Sequence, residues 1–392
     1  MILHTENFTP EEQKSDIKLQ LNFLETELRQ HMLAEKMQKM YPEGYVFINA
    51  LYGLSWCELA LSDPKKDSSL KRKALTEALY AYDNINSNKA QISFEPSLKP
   101  NNGIFYFGWK NYLLSKILTL DTTFANHKSY LDSCKHQCDI IQSILQNNKN
   151  PYLQSYSGQS WPADMFVAMA SLSNCIKIFQ SNYDAEIKEW ILNVKDHLDS
   201  NTRLIPHSVD FKTGQSLQGA RGSSMSLILR MLYEIDPKFA LEQFNHFQTL
   251  FVTKTFGLPS IREYPVGQYG IGDVDSGPVI FGVGFSGTIV MIGTFALFEN
   301  DNLARMQYKT INAFGFGNIS AEEKKYIFGM LPIADAFIAW GRATELKFQD
   351  RFKKDTWRWT IKFHCISFFV ISLLWIIYFR REIINKLKKK VW

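Results

Sequence analysis

The chain is 392 residues long, 45% hydrophobic and carries a formal net charge of +5, so it can bury a full core and is neither disordered nor strongly basic. Much of the positive charge sits in Arg380, Arg381, Lys386, Lys388, Lys389 and Lys390, which leaves the rest near neutral and gives nucleic acid no electrostatic footprint. The five cysteines, Cys57, Cys134, Cys138, Cys175 and Cys365, are odd in number and scattered, so they imply no disulfide framework.

A first helix is expected over 10–40. Thr9 suits its N-cap, Pro10 its first position and Glu11 and Glu12 its first turn, and Leu21, Leu24 and Leu28 recur at helical spacing. Tyr41-Pro42-Glu43-Gly44 stops it. An apolar helix over 46–61 follows, closed by Asp63-Pro64, and then a charged one over 68–85. The alternation continues. Apolar helices rich in Gly, Ala and Ser are expected at 105–118, 161–179, 223–233, 278–298 and 326–345; helices with one charged face fall at 124–145, 184–198, 237–251 and 300–314. Strand-like alternation is confined to short stretches such as 204–211.

Six related segments recur about every 50–60 residues, a period that marks a repeat architecture. They are Leu51-Tyr-Gly-Leu-Ser-Trp56, Phe105-Tyr-Phe-Gly-Trp109, Ser157-Gly-Gln-Ser-Trp-Pro-Ala-Asp164, Gly219-Ala-Arg-Gly-Ser-Ser224, Gly272-Asp-Val-Asp-Ser-Gly277 and Phe328-Gly-Met-Leu-Pro-Ile-Ala-Asp335. Each is read as a Gly-rich entry to an apolar helix. The expected fold is all-α, an (α/α)6 toroid of six inner and six outer helices followed by a transmembrane helix. The expected division is 1–350 toroid, 351–362 basic and aromatic linker, 363–379 membrane span and 380–392 basic tail.

The 17 residues 363–379 contain no Asp, Glu, Lys or Arg, and Trp357, Trp359, Trp375 and Tyr378 suit the two interfaces. A single-pass membrane protein is expected. The basic tail favours a cytoplasmic end, whereas Met1 to Asn7 shows no basic segment leading into an apolar one, so the side of the large domain stays open.

In such a ring, the loops before the inner helices converge on one face. Asp273 and Asp275 stand two residues apart in a Gly-rich turn, where crowded carboxylates can serve as acid and base or can cap a helix. Asp164 follows Trp161-Pro162 at a helix start, as a candidate raised-pKa acid or a first-turn dipole partner. Asp335 is a weaker candidate of the same kind, and His207, after Leu204-Ile-Pro206, could serve as a base or simply be a solvated loop histidine. Arg221 could hold an anion or pair with Glu263 or Asp273. Arg262, Glu263 and Tyr264, with the rim aromatics Tyr52, Trp56, Tyr106, Trp109 and Trp161, complete a candidate binding set for a terpene or sugar ring. Cys134-Lys-His-Gln-Cys138 places two thiols on one helix face but has no second pair, so no metal is expected. No Walker loop or dinucleotide fingerprint occurs, and no cofactor is expected. The expected partners are a small-molecule substrate and the membrane, with oligomeric state open.

At Tyr52-Gly53-Leu-Ser-Trp56, Phe107-Gly-Trp109 with Asn111, Trp161-Pro-Ala-Asp164, Arg221-Gly-Ser-Ser224, Arg262-Glu-Tyr-Pro265 and Gly272-Asp-Val-Asp-Ser-Gly-Pro278, the chain resembles the linalool dehydratase/isomerase-like family. The resemblance spans about 40–345 and implies an (α/α)6 toroid with acid–base chemistry on a small substrate. The family enzyme's cysteine pair near 161–170 and its histidine on the second inner helix have no counterpart here. Asp164 matches the acid that follows the first of those cysteines. By analogy of fold, Asp164 with Asp273 or Asp275 would instead form a glycosidase-like pair. A non-catalytic binding ring is the remaining alternative.

Overall fold

The structure, a computed structural model, describes residues 3, 8–121, 128–148, 150–180, 183–351 and 357–390, with side chains placed outside 349–351, 357 and 382–390. The expected helix start at 124–127, residues 352–356 of the linker and the last two residues lie outside that set.

Six inner helices form the ring: α3 (Gly44–Leu61), α6 (Gly103–Leu120), α8 (Pro162–Phe179), α10 (Gly222–Ile235), α12 (Phe285–Leu297) and α14 (Pro332–Glu345). Each packs on the next, and α14 returns to pack on α3, which closes the circle. Six outer helices surround them: α1 (Pro10–Gln30), α4 (Ser68–Ile85), α7 (Lys128–Gln146), α9 (Asp184–Asp196), α11 (Pro237–Phe251) and α13 (Asp301–Phe314). The chain is therefore an (α/α)6 toroid. The inner helices α3 and α6 are mostly apolar and buried on nearly every side because both of their faces are covered, whereas the outer ones bury a single stripe.

Local chemistry sets the ends. Thr9 and Glu12 form a reciprocal capping box on α1, and Asp236 accepts from the Lys238 and Phe239 amides to start α11. The two first repeat cores lie inside α3 and α6, not before them. Their glycines serve close helix contact: a Cβ on Gly53 would stand 2.9 Å from Leu113, and one on Gly108 would stand 3.2 Å from the Asp164 carbonyl and Ala168. Gly108 thus sets the first turn of α8 directly against α6.

Three expected helices are shorter than the sequence suggests. The span 10–40 breaks at Met32, which is left-handed, so that α2 (Leu33–Met40) can bury Leu33, Ala34 and Met37 on α3. The segment before α12 is a hairpin, β5 (Val279–Ile280) with β6 (Val283–Gly284), turned by Phe281 and Gly282 at positive φ. α14 starts at Pro332, after a turn at Ile327 and Phe328. The alternation at 204–211 becomes β1 (Ser208–Val209), paired with β2 (Ser216–Gln218). Two further hairpins are β3 (Val252–Thr255) with β4 (Leu258–Ile261), and β7 (Asn318–Ile319) with β8 (Lys324–Lys325).

A short helix, α5 (Asn88–Gln91), precedes α6. After the ring comes α15 (Ile361–Lys390). Among the described residues, 358–381 is the one helical stretch long and apolar enough to cross a membrane, and only 6% of it is buried.

The first and last ring elements are tied by a buried ion cluster. Asp16 of α1 meets Arg342 of α14 and Lys324 of β8, with Lys324 Nζ 2.7 Å from Asp16 Oδ2.

Candidate active site

All six inner helices run the same way, so their N-termini and the loops before them gather at one mouth. Asp164 sits in the first turn of α8, fixed by Pro162 at the helix start and by its own amide bonding the Trp161 carbonyl at 3.1 Å. Its carboxylate does not cap the helix. Instead Oδ2 accepts from the Ser155 hydroxyl at 2.5 Å. The residue is 8% exposed. Burial pushes its pKa up to about 8; the Ser155 bond opposes this, and the negative neighbours Glu43 and Asp275 add to it.

Glu43 immediately precedes α3 and caps nothing with its side chain. Burial and Asp275 raise its pKa, while a hydrogen bond from the Tyr156 phenol opposes the rise. Asp275 is raised by burial among its neighbours and by Asp273, against Arg221, although its own side chain reaches solvent. Burial, followed by Glu43, Asp164 and Asp275, drives the Tyr156 phenol well above its ordinary value. Three carboxyl groups and one phenol therefore share one electrostatic environment at the mouth.

An aromatic wall descends from them. Trp161 packs edge-on to Tyr156 at 5.5 Å, and Tyr156 stacks on Phe94 and Phe105. Phe105 meets Phe47, which meets Trp109 at 4.9 Å and Phe337 at 5.5 Å. Trp109 then meets Trp340, whose ring is covered by the Arg230 guanidinium at 3.6 Å. The Trp109 indole N–H is buried without a partner. Below this wall the ring axis is ionic. Lys116 pairs with Glu234 at 2.7 Å, and Lys347 pairs with Glu58. Burial would raise Glu58, but Lys347, Arg230 and Lys116 together hold it at about 2.

The second expected cluster is a brace. Arg221 Nε donates to Glu263 at 2.7 Å, and its two terminal nitrogens fork onto Asp273. Asp273 also accepts from the Asp275 and Ser276 amides at 3.1 Å. Burial raises Asp273, yet Arg221 holds it at about 2. His207 bonds Ser224 and faces Arg221; burial and that cation push it down to about 4, so it is neutral. Arg221, Tyr264, Asp273, Gln218 and Gln268 line a cleft of about 340 Å³ beside the mouth.

The remaining candidates point elsewhere. The Tyr52 hydroxyl donates to Glu77 of the outer ring at 2.8 Å, and Trp56 packs on Tyr52 beneath Lys73. Tyr106 donates to the Ile85 carbonyl at 3.0 Å. Arg262 braces the Tyr264 and Gln268 carbonyls at 3.1 and 3.0 Å. Asp335 accepts from Gln20 and the Tyr326 amide between α1 and α14. Glu43, which the sequence marks only as part of a helix stop, and Tyr156, which it does not single out, join Asp164.

One set of soft ligands exists among the described residues. Cys134 and Cys138 of α7 meet Cys175 of α8, with the three sulfurs within 4.8 Å and all three residues buried. His136 is exposed on the opposite side. The third thiol comes from a different helix, which sequence spacing does not reveal.

No family model and no curated protein matches the chain. Among solved structures it is similar to an unsaturated glucuronyl hydrolase specific for heparin, with a TM-score of 0.53 at 10% identity, over 86% of this chain and 98% of that one. It also aligns with a D-mannose isomerase (TM-score 0.48, 10% identity, 76% and 86% of the two chains). A polysaccharide lyase aligns similarly (TM-score 0.48, 11% identity, 88% and 99%). At such identity the first likeness establishes a shared fold.

Proposed function

We propose that the chain is a membrane-anchored acid–base enzyme that cleaves a glycosidic bond at the ring mouth. The observation that carries this reading is Asp164, a buried carboxyl raised to about 8 beside two further carboxyl groups. At neutral pH such a group holds its proton and can deliver it to a leaving oxygen. Asp275, which reaches solvent, takes the proton from the attacking water. Glu43 and the Tyr156 phenol hold the charge and orientation between them. Asp273, fixed by Arg221, keeps the Asp275 turn in place. Trp161, Tyr156 and Phe105 offer flat faces for a sugar ring.

The likeness in fold to a glucuronyl hydrolase favours a sugar substrate, and within that class an acidic one. The terpenoid substrate implied by the sequence resemblance is the competing reading. Anchoring rests on α15, whose apolar surface is almost wholly outside the ring.

The test is turnover of a panel of aryl glycosides, glucuronides, unsaturated uronides and terpenoid alcohols by the full chain. A glycoside should be cleaved, and Asp164→Asn and Asp275→Asn should each abolish cleavage with circular dichroism unchanged. Dehydration of the terpenoid alcohol alone, or wild-type cleavage by both variants, would overturn the reading.

A further inference from the structure

Exposed phenylalanines on strained backbone stand along one side of the mouth, in the connections before α12 and α14. Phe256 opens the β3–β4 turn, Phe281 tips the β5–β6 hairpin, and Phe316 and Phe328 flank β7 and β8. They are 45%, 72%, 67% and 66% exposed. Each is held at a φ between 47° and 55°, a left-handed conformation that bulky side chains adopt rarely. Phe256 packs edge-on to Phe281 at 5.1 Å, and Phe316 stacks on Phe328 at 5.9 Å. Ile319 and Met330 extend the patch. A soluble surface gives no reason to hold four aromatics outward in this way.

All these turns join an outer helix to the next inner one, so they lie at the end of the ring that holds Glu43 and Asp164. The same end is the root of α15. A Cβ on Gly257 would stand 2.8 Å from Lys362 and 3.1 Å from the Phe363 amide nitrogen, and Phe314 packs edge-on to Phe363 at 5.6 Å. Exposed Lys254, Arg358 and Lys362 flank this junction, where they suit anionic headgroups.

We propose that this aromatic rim docks on the bilayer from which α15 emerges. It sets the mouth against the lipid surface, so that the substrate is an amphipathic, lipid-held glycoside. This rests on the anchored glycosidase reading and deepens it. The rim aromatics enter the interface while the acidic centre stays behind them in the ring. A saccharide headgroup on a lipid tail then reaches Asp164 without leaving the membrane.

The test places a nitroxide on the full chain in vesicles of phosphatidylcholine and phosphatidylglycerol. Labels are attached singly at Phe281→Cys, Phe328→Cys, Leu192→Cys and Leu374→Cys, in a Cys365→Ser background whose other cysteines are buried. Labels at 281, 328 and 374 should be relaxed by oxygen in the bilayer and shielded from a water-soluble nickel chelate; the label at 192, on α9, should behave oppositely. If 281 and 328 read water while 374 reads lipid, the anchor stands and the docking rim is wrong. If 374 also reads water, the anchor reading falls with it. Spin–spin broadening at 281 that persists in detergent would assign the rim to a second copy of the chain instead. As a functional readout, Phe281→Asp with Phe328→Asp should lose about tenfold in kcat/KM on an alkyl-chained glycoside held in vesicles. The same variant should match wild type on the chain-free glycoside; equal losses on both would also refute the proposal.

Discussion

Replacing Asp164 with Asn should stabilise the ring while removing its chemistry. The ordinary aspartate value is 3.8, and in the fold burial and the neighbours Glu43 and Asp275 lift it to about 8. Below pH 3.8 both the folded and unfolded chains carry the proton. Between 3.8 and about 8 the folded chain keeps a proton that the unfolded chain has released, so rising pH favours unfolding. At 1.36 kcal/mol per pH unit, the penalty reaches on the order of 4 kcal/mol at pH 7. Asparagine mimics the protonated acid, its oxygen can still accept from Ser155, and it removes the repulsion from Glu43 and Asp275. The gain should therefore be small, about 1–2 kcal/mol, near pH 5 and should grow to a few kcal/mol near pH 8. Denaturant unfolding of wild type and variant across that range reads it directly. A variant less stable than wild type throughout, or a pH slope the substitution leaves unchanged, would refute the reasoning.

Other substitutions separate structure from chemistry. Asp16→Asn removes the shared anion of Lys324 and Arg342, and thermal unfolding should register a loss of about 3–5 kcal/mol. Burial raises Asp16 but the two cations overcome it, so its contribution is present above the unfolded aspartate value and is lost as pH falls. Arg221→Gln leaves fully buried Glu263 without its cation; a loss on the order of 3 kcal/mol and faster hydrogen exchange across 262–284 are expected. Gly108→Val forces α6 off α8 at the Asp164 turn, with about 1–3 kcal/mol lost in thermal melts.

Ring architecture was legible because it resides in helical periodicity. Segments apolar all round must be buried on every side, and striped segments must lie outside them, so the alternation implies two concentric layers. That same uniformity hides rotational phase. Phe105 and Trp109 face the axis, yet Tyr106 points to the outer ring, and nothing in an evenly apolar helix distinguishes them. The break at Met32 follows from the packing of α2 on α3, which no local breaker residue announces. Asp164 was readable from its place after Trp161-Pro162. Glu43 lies more than a hundred residues earlier and reads as a helix stop, because only ring closure brings α3 and α8 to a common mouth. Asp273 and Asp275 look equivalent in sequence; the Arg221 fork, a tertiary contact, separates the fixed anion from the raised one.

The central claim is that Asp164 is a proton-bearing acid at neutral pH. Its most direct measurement is the pH titration of the Asp164 carboxyl carbon by ¹³C nuclear magnetic resonance, assigned by loss of the signal in Asp164→Asn. The carboxyl should stay protonated through neutrality and titrate at about 8. A carboxyl already ionised at neutral pH, with its midpoint near the ordinary value of 3.8, would contradict it.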